Sequence, residues 1–123
     1  TEAHGEERLE AISVHCTESG ETNIYQANSL FILIGATPHT DWLEGVIERD
    51  ERGFILSGTD LMRDGKPPRG WNLDRAPGLL ETNIPGIFAV GDVRKGSVKR
   101  VASGVGEGSV AISFVHQYLS KVV

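Results

Sequence analysis

Alternating apolar and polar positions mark the beginning of the chain. In LEAISVHC, residues 9–16, every second residue from Ile12 onward is apolar, which is the period of a half-buried β-strand. The residues ESGE around Gly20 favour a turn, and residues 22–27 can form the returning strand. The pattern predicts a small β-meander in which Cys16 is a small core residue on the apolar face.

Three further apolar runs predict short buried strands. LFILI, residues 30–34, has no polar position and predicts a central strand covered on both faces, which Gly35 ends. FILS at 54–57 and GIFAVGD at 86–92 predict two more strands. Residues 58–78 are dominated by glycine, proline and arginine, which predicts a long surface loop.

Helical spacing of apolar residues defines the end of the chain. The positions that share this spacing are Val98, Val101, Val105, Ile112, Val115 and Leu119. Ser97 is the predicted N-cap of the helix. The glycines at positions 104, 106 and 108 each cost about 1 kcal/mol relative to alanine in a helix, so we expect them to allow close packing against a sheet. Together, the elements predict an α/β protein.

Composition and charge argue against several classes of partner. A length of 123 residues suits one modest domain, and 39% apolar with 24% charged residues is typical of a folded globular protein. The net charge of −5 argues against nucleic acid or an anionic membrane, because phosphate binding requires a positive surface. No apolar run reaches the roughly 18 residues of a membrane helix.

Cysteine and histidine usage limits the chemistry further. Cys16 is the single cysteine, so the sequence has neither an internal disulfide nor a Cys-x-x-Cys pair. This usage fits a reducing compartment such as the cytoplasm. The four histidines lack metal-ligand spacing, so no metal site is predicted. The polar N-terminus is not a signal peptide, and because it lacks an initiating methionine we expect the chain to be cut from a longer one.

Candidate chemistry lies where the predicted strand at 86–92 ends. Ligands of open α/β sheets collect beyond the carboxyl ends of strands, and Asp92 lies at such an end, directly after Gly91. A carboxylate there can accept hydrogen bonds from the hydroxyls of a sugar or ribityl chain. The helix that follows offers free N–H groups and a positive end that favours negative charge. The same pattern also occurs as an ordinary turn and helix cap, so both interpretations remain open at this point.

Two long stretches match motifs with a known context. TNIPGIFAVGDVRKGSVKRVASGVGEGSVAISFVHQYL, residues 82–119, looks like the C-terminal flavin motif of the pyridine nucleotide-disulfide oxidoreductases and is most similar to thioredoxin reductase-like enzymes. LFILIGATPHTDWL, residues 30–43, resembles the segment that closes their NAD(P)H domain, although His39 stands where that pattern prefers asparagine. The resemblance implies an oxidoreductase that moves hydride from NAD(P)H to FAD and on to a disulfide or another acceptor.

The resemblance also implies roles for individual residues. Asp92 would hold the ribityl hydroxyls of FAD, and Gly91 would allow close approach of the cofactor. Lys99, Arg100 and Val101 match the residues at the helix start beside the pyrimidine edge of the isoalloxazine ring. The family usually has Arg-Gln there, whereas this chain has Lys-Arg, so the backbone N–H contacts carry over more directly than the side-chain roles.

Several parts of such an enzyme are missing from this sequence. It has no G-x-G-x-x-G turn for the FAD pyrophosphate or for NAD(P)H, and no dithiol. The resemblance therefore implies incomplete domains: 1–50 as the β-meander end of an NAD(P)H-binding domain, 51–81 as a crossover and long loop, and 82–123 as the last strand and helix of a Rossmann-like FAD-binding domain.

By the same resemblance, Gly35 would approach the nicotinamide cofactor or the domain junction. No catalytic residue is assigned, and the chain alone is expected neither to retain FAD or NAD(P)H nor to transfer hydride.

The expected partner is the remainder of the parent flavoenzyme. Pairing with a second copy, as a homodimer, is expected to cover the apolar faces that partial domains expose, because large apolar patches rarely stay open. Two other interpretations remain. One is a free-standing, non-catalytic binding or regulatory module derived from the same fold. The other is a ferredoxin-NADP reductase-like or peroxide-handling relative with a different electron acceptor.

Overall fold

The computed structural model describes residues 1–122, which form a three-stranded sheet and one α-helix. The strands are β1 (Glu2–His4), β2 (Ala11–His15) and β3 (Thr22–Gln26), and the helix is α1 (Val101–Val122). Short 3-10 turns lie at Asp41–Leu43, Gly58–Leu61 and Gly91–Val93. The chain divides into two compact units, Thr1–Gly35 and Ala36–Val123. The predicted combination of a small β-sheet and a C-terminal helix is confirmed.

The N-terminal unit is an antiparallel meander in the order β1-β2-β3. Strands β2 and β3 pair with Ser13 opposite Ile24, so the predicted hairpin is confirmed. The N–H of Gly20 donates to the carbonyl of Cys16 at 2.9 Å and closes the turn between them. The sequence pattern does not predict β1, because the strand has only three residues with a single apolar one, Ala3, and is held by backbone pairing with β2 rather than by apolar burial.

Cys16 is exposed, so its prediction as a core residue is wrong. Strand β2 ends at His15, so Cys16 belongs to the turn, and the preceding apolar residue of the same face, Val14, is also exposed because nothing in residues 1–122 covers this end of the strand. Hydrogen bonds from the side chain and backbone of Ser19, with a further one from the backbone of Glu18, lower the pKa of the Cys16 thiol. The thiol is thus accessible and biased toward its reactive form.

We expect Cys16 to react with an aromatic disulfide reagent in the folded chain, without prior unfolding. Because the thiolate is the nucleophile, Ser19→Ala should raise the pKa of the thiol and slow the reaction near neutral pH. The rate is measured by absorbance as a function of pH. A thiol that reacts only after denaturant is added would contradict the exposed position.

The run at residues 30–34 does not form a strand, so the predicted central strand is wrong for this chain. The backbone there pairs with no strand among the described residues, and the side chains of Phe31 and Leu33 are 83% and 91% exposed. A central strand needs neighbouring strands on both edges and cover on both faces. The run keeps the composition of such a strand, but residues 1–122 contain no neighbours for it.

The predicted strands at 54–57 and 86–92 are reduced to isolated bridges in the second unit. Ile55 bridges Arg94 in parallel orientation, and Phe88 bridges Glu81 in antiparallel orientation. The last strand of the predicted FAD domain is therefore absent as a regular strand, because the described residues offer it only single bridging partners. Ile55 is nevertheless buried and packs with Ile47 and Ala89 in a small core. The segments 54–57 and 86–92 therefore make single bridges, but they do not form a regular sheet.

Helix α1 begins at Val101, three residues later than a helix capped by Ser97 would begin, so Ser97 is not its N-cap. The Ser97 hydroxyl is instead hydrogen-bonded to the Lys99 ammonium at 3.1 Å. The backbone of Gly104 lies near Gly91, but a Cβ placed on Gly104 would be 3.9 Å from the Gly91 Cα, which is an ordinary van der Waals distance that an alanine would tolerate. Cβ atoms at positions 106 and 108 would meet nothing within 4 Å, so packing within this chain does not explain those two glycines.

The predicted apolar line of α1 faces solvent for most of its length. Side chains of this line that are exposed include Val101, Val105, Ile112 and Leu119. The buried side of the helix instead carries Ala111, and Phe114 packs near Phe88 with ring centroids 6.3 Å apart. Within residues 1–122, none of the helical segments combines the length and the hydropathy of a membrane span. The exposed line, Val101, Val105, Ile112 and Leu119, is called the open helix face below.

Candidate functional site

The turn Gly91–Val93 lies directly against the beginning of α1. Gly91 has φ of +72°, a conformation that glycine adopts without steric cost. A Cβ placed on Gly91 would lie 3.8 Å from the Cα of Gly104, in the first turn of the helix. The turn and the helix therefore lie within van der Waals distance of each other, and glycine is favoured at position 91 by its backbone conformation rather than by crowding.

Asp92 lies at the tip of this turn and is exposed. Its carboxylate has no hydrogen-bond partner or ion-pair partner among the residues that the structure describes, whereas its main-chain carbonyl accepts a hydrogen bond from Lys99. An ionised carboxylate is an acceptor with two oxygens. The residue thus presents unused acceptors beside the start of α1, which fits a ligand that carries hydroxyl groups.

The first N–H groups of α1 complete this donor and acceptor set. The N–H of Gly104 bonds to the Arg100 carbonyl at 3.1 Å, and the three N–H groups before it, at 101–103, have no intrahelical acceptor by helix geometry. Val101 is 87% exposed, so this end of the helix is open. Exposed donors at the positive end of a helix favour a ligand atom with negative charge.

Lys99 and Arg100 turn back onto the chain. The Lys99 ammonium donates to the Asp92 carbonyl at 2.9 Å and lies 4.4 Å from the centroid of the Phe54 ring. The exposed Arg100 guanidinium donates to the Lys99 carbonyl at 3.1 Å. Lys99 thus holds the backbone of the turn, whereas the Arg100 guanidinium donates to the backbone of its own neighbour, and the assignment of both residues to a cofactor remains a prediction.

Gly35 is the last residue of the N-terminal unit, whereas the other predicted site residues all belong to the second unit. Its φ of +105° is a conformation that favours glycine. A Cβ placed there would meet no heavy atom within 4 Å, so the glycine is required by the backbone and not by crowding. The role of Gly35 near the nicotinamide or the domain junction, which the resemblance implies, remains a prediction.

Sequence reasoning missed an ion pair that ties the turn to the helix. One oxygen of the Glu107 carboxylate accepts the Gly91 N–H at 2.7 Å and the Arg94 Nε at 3.2 Å, and the other accepts Arg94 Nη2. These bonds, led by the one from Arg94, lower the pKa of Glu107 although partial burial acts to raise it. A signal was available, since Glu107 is the one acidic residue of α1, but its partner lies thirteen positions away.

A second ion pair of the same kind stabilises the loop that precedes the turn. The Glu81 side chain is 1% exposed, and its two oxygens accept Arg75 Nη1 at 2.5 Å and Nη2 at 2.9 Å. The N–H groups of Gly78 and Gly86 also donate to it, at 2.8 and 3.0 Å. Burial alone would raise the pKa of Glu81, but these four bonds outweigh it and the pKa lies below the ordinary value of 4.5.

Acid is expected to destabilise the chain through these two carboxylates. Both have a lower pKa in the folded state than in the unfolded state, so the unfolded state binds protons first as pH falls. Their stabilisation is complete above about pH 4.5 and is lost as pH falls through the folded pKa. Urea unfolding at several pH values should show this loss, and the double variant Glu81→Gln/Glu107→Gln should flatten it. An equal acid slope in both proteins would contradict the assignment.

Comparison with known proteins places this geometry in a family. Residues 1–108 match the family described as pyridine nucleotide-disulphide oxidoreductase. The chain is 30% identical over 114 residues to the thioredoxin reductase of Eremothecium gossypii, and 30% identical over 121 residues to an alkyl hydroperoxide reductase subunit of Staphylococcus epidermidis. The structure of thioredoxin reductase from Streptococcus pyogenes superposes with a TM-score of 0.62 at 25% identity.

These matches cover nearly all of this chain but only part of each relative. The shares of this chain are 93%, 98% and 98%, and the corresponding shares of the three relatives are 30%, 20% and 33%. The chain therefore spans between a fifth and a third of the proteins it resembles. The two sequence motifs predict the same family as the matched residues, and the chain belongs to the pyridine nucleotide-disulphide oxidoreductases.

Proposed function

We propose that this chain is the C-terminal portion of a thioredoxin reductase-like flavoenzyme, in which Asp92 and the start of α1 contribute to the FAD site. The observation that carries the proposal is the exposed Asp92 carboxylate, without a partner among the described residues, on a glycine turn that packs against the first turn of a helix. A carboxylate that accepts hydrogen bonds, on a turn beside a helix start with free N–H groups, suits the hydroxyls and the electron-rich edge of a flavin.

Each residue of the chain would act on FAD by binding and orienting it. Asp92 would accept hydrogen bonds from the ribityl hydroxyls, and Gly91 would allow the cofactor to approach the backbone. The N–H groups at 101–103 would stabilise negative charge at the pyrimidine edge, an effect of at most about 2 kcal/mol in a partly buried setting. When bound, FAD would supply two-electron chemistry between NAD(P)H and the acceptor.

The rest of the parent protein would supply what this chain lacks. We assign residues 1–50 to the end of the NAD(P)H-binding domain, 51–81 to a crossover and 82–123 to the end of the FAD-binding domain. The exposed run at 30–34 and the open helix face support this assignment, because isolated globular chains rarely expose so many large apolar side chains together. The remaining parts of those domains, or a second copy, would cover them.

The names of two relatives support a proposal for the class of electron acceptor. One is named a thioredoxin reductase and another an alkyl hydroperoxide reductase subunit, so a disulfide carried by a partner protein or a peroxide-reducing partner is the class of acceptor we propose. Cys16 is not placed in that chemistry, because it is a single thiol in a surface turn of the meander. A dithiol would have to come from another part of the parent.

The proposal is tested by titrating FAD, followed by flavin fluorescence, into the complete parent protein and its Asp92→Ala variant. Loss of hydrogen bonds to a charged acceptor costs about 1.5–3 kcal/mol, so affinity should fall by about 10-fold to 100-fold. Asp92→Asn, which keeps one acceptor oxygen, should fall between the two. A matched control is Asp60→Ala, because Asp60 is also an exposed aspartate in a 3-10 turn that begins with a glycine of positive φ.

Three results would contradict the proposal. The first is wild-type FAD affinity in Asp92→Ala, and the second is a loss of affinity in Asp60→Ala as large as that in Asp92→Ala. The third is stoichiometric binding of micromolar FAD by the 123-residue chain alone, which would favour a free-standing binding module. We expect the isolated chain neither to bind FAD tightly nor to oxidise NAD(P)H, since it carries no glycine-rich pyrophosphate turn.

A further inference from the structure

We propose that Glu107 is a positioning residue for the flavin site, acting with Arg94 to fix the Gly91–Val93 turn against α1. The inference rests on the proposed function, since it concerns the same site. The inference goes beyond the proposed function because it names Glu107, 15 positions after Asp92 in the sequence, as the residue that fixes the position of Asp92. Neither Glu107 nor Arg94 belongs to the set that the flavin motif assigns to the cofactor.

Both polar groups of the Gly91 residue are engaged in this arrangement. Its N–H donates to the Glu107 carboxylate at 2.7 Å, and its carbonyl accepts the N–H of Arg94 at 3.1 Å. The Arg94 side chain then returns to the same carboxylate through two of its nitrogens. The turn is therefore closed on itself by Arg94 and attached to the helix by Glu107, so the direction in which Asp92 leaves the turn is set by both.

The position of Glu107 on α1 makes this attachment rigid. Glu107 follows Gly104 by three residues and lies on the same side of the helix, so the first two turns of α1 hold Gly91 by a close backbone contact and by a hydrogen bond. The side chains of Arg94 and Glu107 are 17% and 19% exposed. Bonds between charged groups shielded in this way are stronger than neutral ones in open solvent.

A third bond restrains the turn from its other side. The Lys99 ammonium donates to the Asp92 carbonyl at 2.9 Å, so the peptide groups on either side of the Asp92 side chain are both held. The carboxylate itself is left without a partner among the described residues. This combination of a fixed backbone and an unused side chain is what a preorganised ligand contact requires, because less freedom is lost when the ligand binds.

The Arg75–Glu81 pair provides a matched control within the same unit. It is also an Arg–Glu pair with two bonds, and its carboxylate also accepts glycine N–H groups. Its glycines, Gly78 and Gly86, lie in the preceding loop and not in the turn that carries Asp92. Removal of either pair should lower stability, but only removal of Glu107 should change the properties of bound flavin.

The test uses the complete parent protein with Glu107→Ala, Glu107→Gln and Glu81→Gln, and measures FAD affinity and the flavin reduction potential. Glu107→Ala should weaken FAD binding by about tenfold or more and shift the potential. Glu107→Gln, which keeps an acceptor for the Gly91 N–H, should recover part of both. Glu81→Gln should lower the unfolding midpoint, while FAD affinity stays within about twofold of wild type and the flavin reduction potential stays unchanged.

Amide hydrogen exchange at Gly91 in the 123-residue chain gives a readout that needs no flavin. We expect slow exchange in the wild type and faster exchange in Glu107→Ala, with Glu81→Gln unchanged at this amide. Unchanged exchange in Glu107→Ala, or wild-type affinity and potential in that variant of a protein that binds FAD, would overturn the inference and leave the proposed function standing. A complete parent protein that binds no FAD would overturn the proposed function and the inference with it.

Discussion

Replacement of Glu81 by alanine is expected to lower the free energy of unfolding of the chain by about 3 kcal/mol. The Glu81 side chain is 1% exposed and accepts four hydrogen bonds, two from Arg75 and one each from the N–H groups of Gly78 and Gly86. Alanine would leave two backbone donors and a guanidinium without their acceptor. The Arg75 side chain is 38% exposed and can bind water, so the cost falls mainly on the two partly buried N–H groups that would lose their acceptor.

Urea unfolding of the chain measures this loss, with Glu48→Ala as the control. Glu48 also pairs with an arginine, but Arg63 is 76% exposed, and exposed pairs contribute at most about 1 kcal/mol. Glu81→Ala should therefore cost several times more than Glu48→Ala. Equal losses in the two variants, or a loss below about 1 kcal/mol in Glu81→Ala, would show that the buried Glu81 carboxylate does not hold the 75–86 segment together.

The second large effect is expected from Gly58→Ala, at about 2–4 kcal/mol. Gly58 has φ of +55°, and a Cβ there would be 2.8 Å from the Leu79 carbonyl oxygen and 3.1 Å from that of Gly78. Those oxygens belong to backbone that precedes the buried residues Leu80 and Glu81, so they cannot move away cheaply. Alanine would add both a strained conformation and a steric contact.

Gly65→Ala separates these two contributions. Gly65 has a similar φ of +74°, but a Cβ there would meet no heavy atom within 4 Å. It should therefore show the conformational cost alone, about 1 kcal/mol, in the same unfolding measurement. If Gly58→Ala were no more destabilising than Gly65→Ala, the close contact with the Leu79 carbonyl would be excluded as a determinant of stability.

Local patterns were sufficient to predict the hairpin and the helix. Alternation in residues 11–15 and the turn at Gly20 specify β2 and β3, because a hairpin forms between neighbours in sequence. The spacing of apolar residues predicts α1 but not its first residue. The Ser97 hydroxyl accepts a hydrogen bond from Lys99 and does not cap the helix, which begins at Val101. Local sequence therefore predicts the type of these elements better than their ends.

Features that depend on distant residues could not be predicted in the same way. The run at 30–34 has the composition of a central strand, yet a strand is defined by partners, and residues 1–122 provide none for it. The Arg94–Glu107 pair joins side chains thirteen positions apart, and they meet because the Gly91–Val93 turn lies against the first turns of α1. The location of the candidate site at Asp92 followed from the motif, whereas the contacts that hold it required the fold.

A crystal structure of the complete parent protein with FAD tests the central claim most directly. We expect an oxygen of the Asp92 carboxylate within hydrogen-bond distance of a ribityl hydroxyl, and the N–H groups at 101–103 directed at the pyrimidine edge of the ring. FAD bound with Asp92 turned away from it, or located at a distance from the start of α1, would contradict the account.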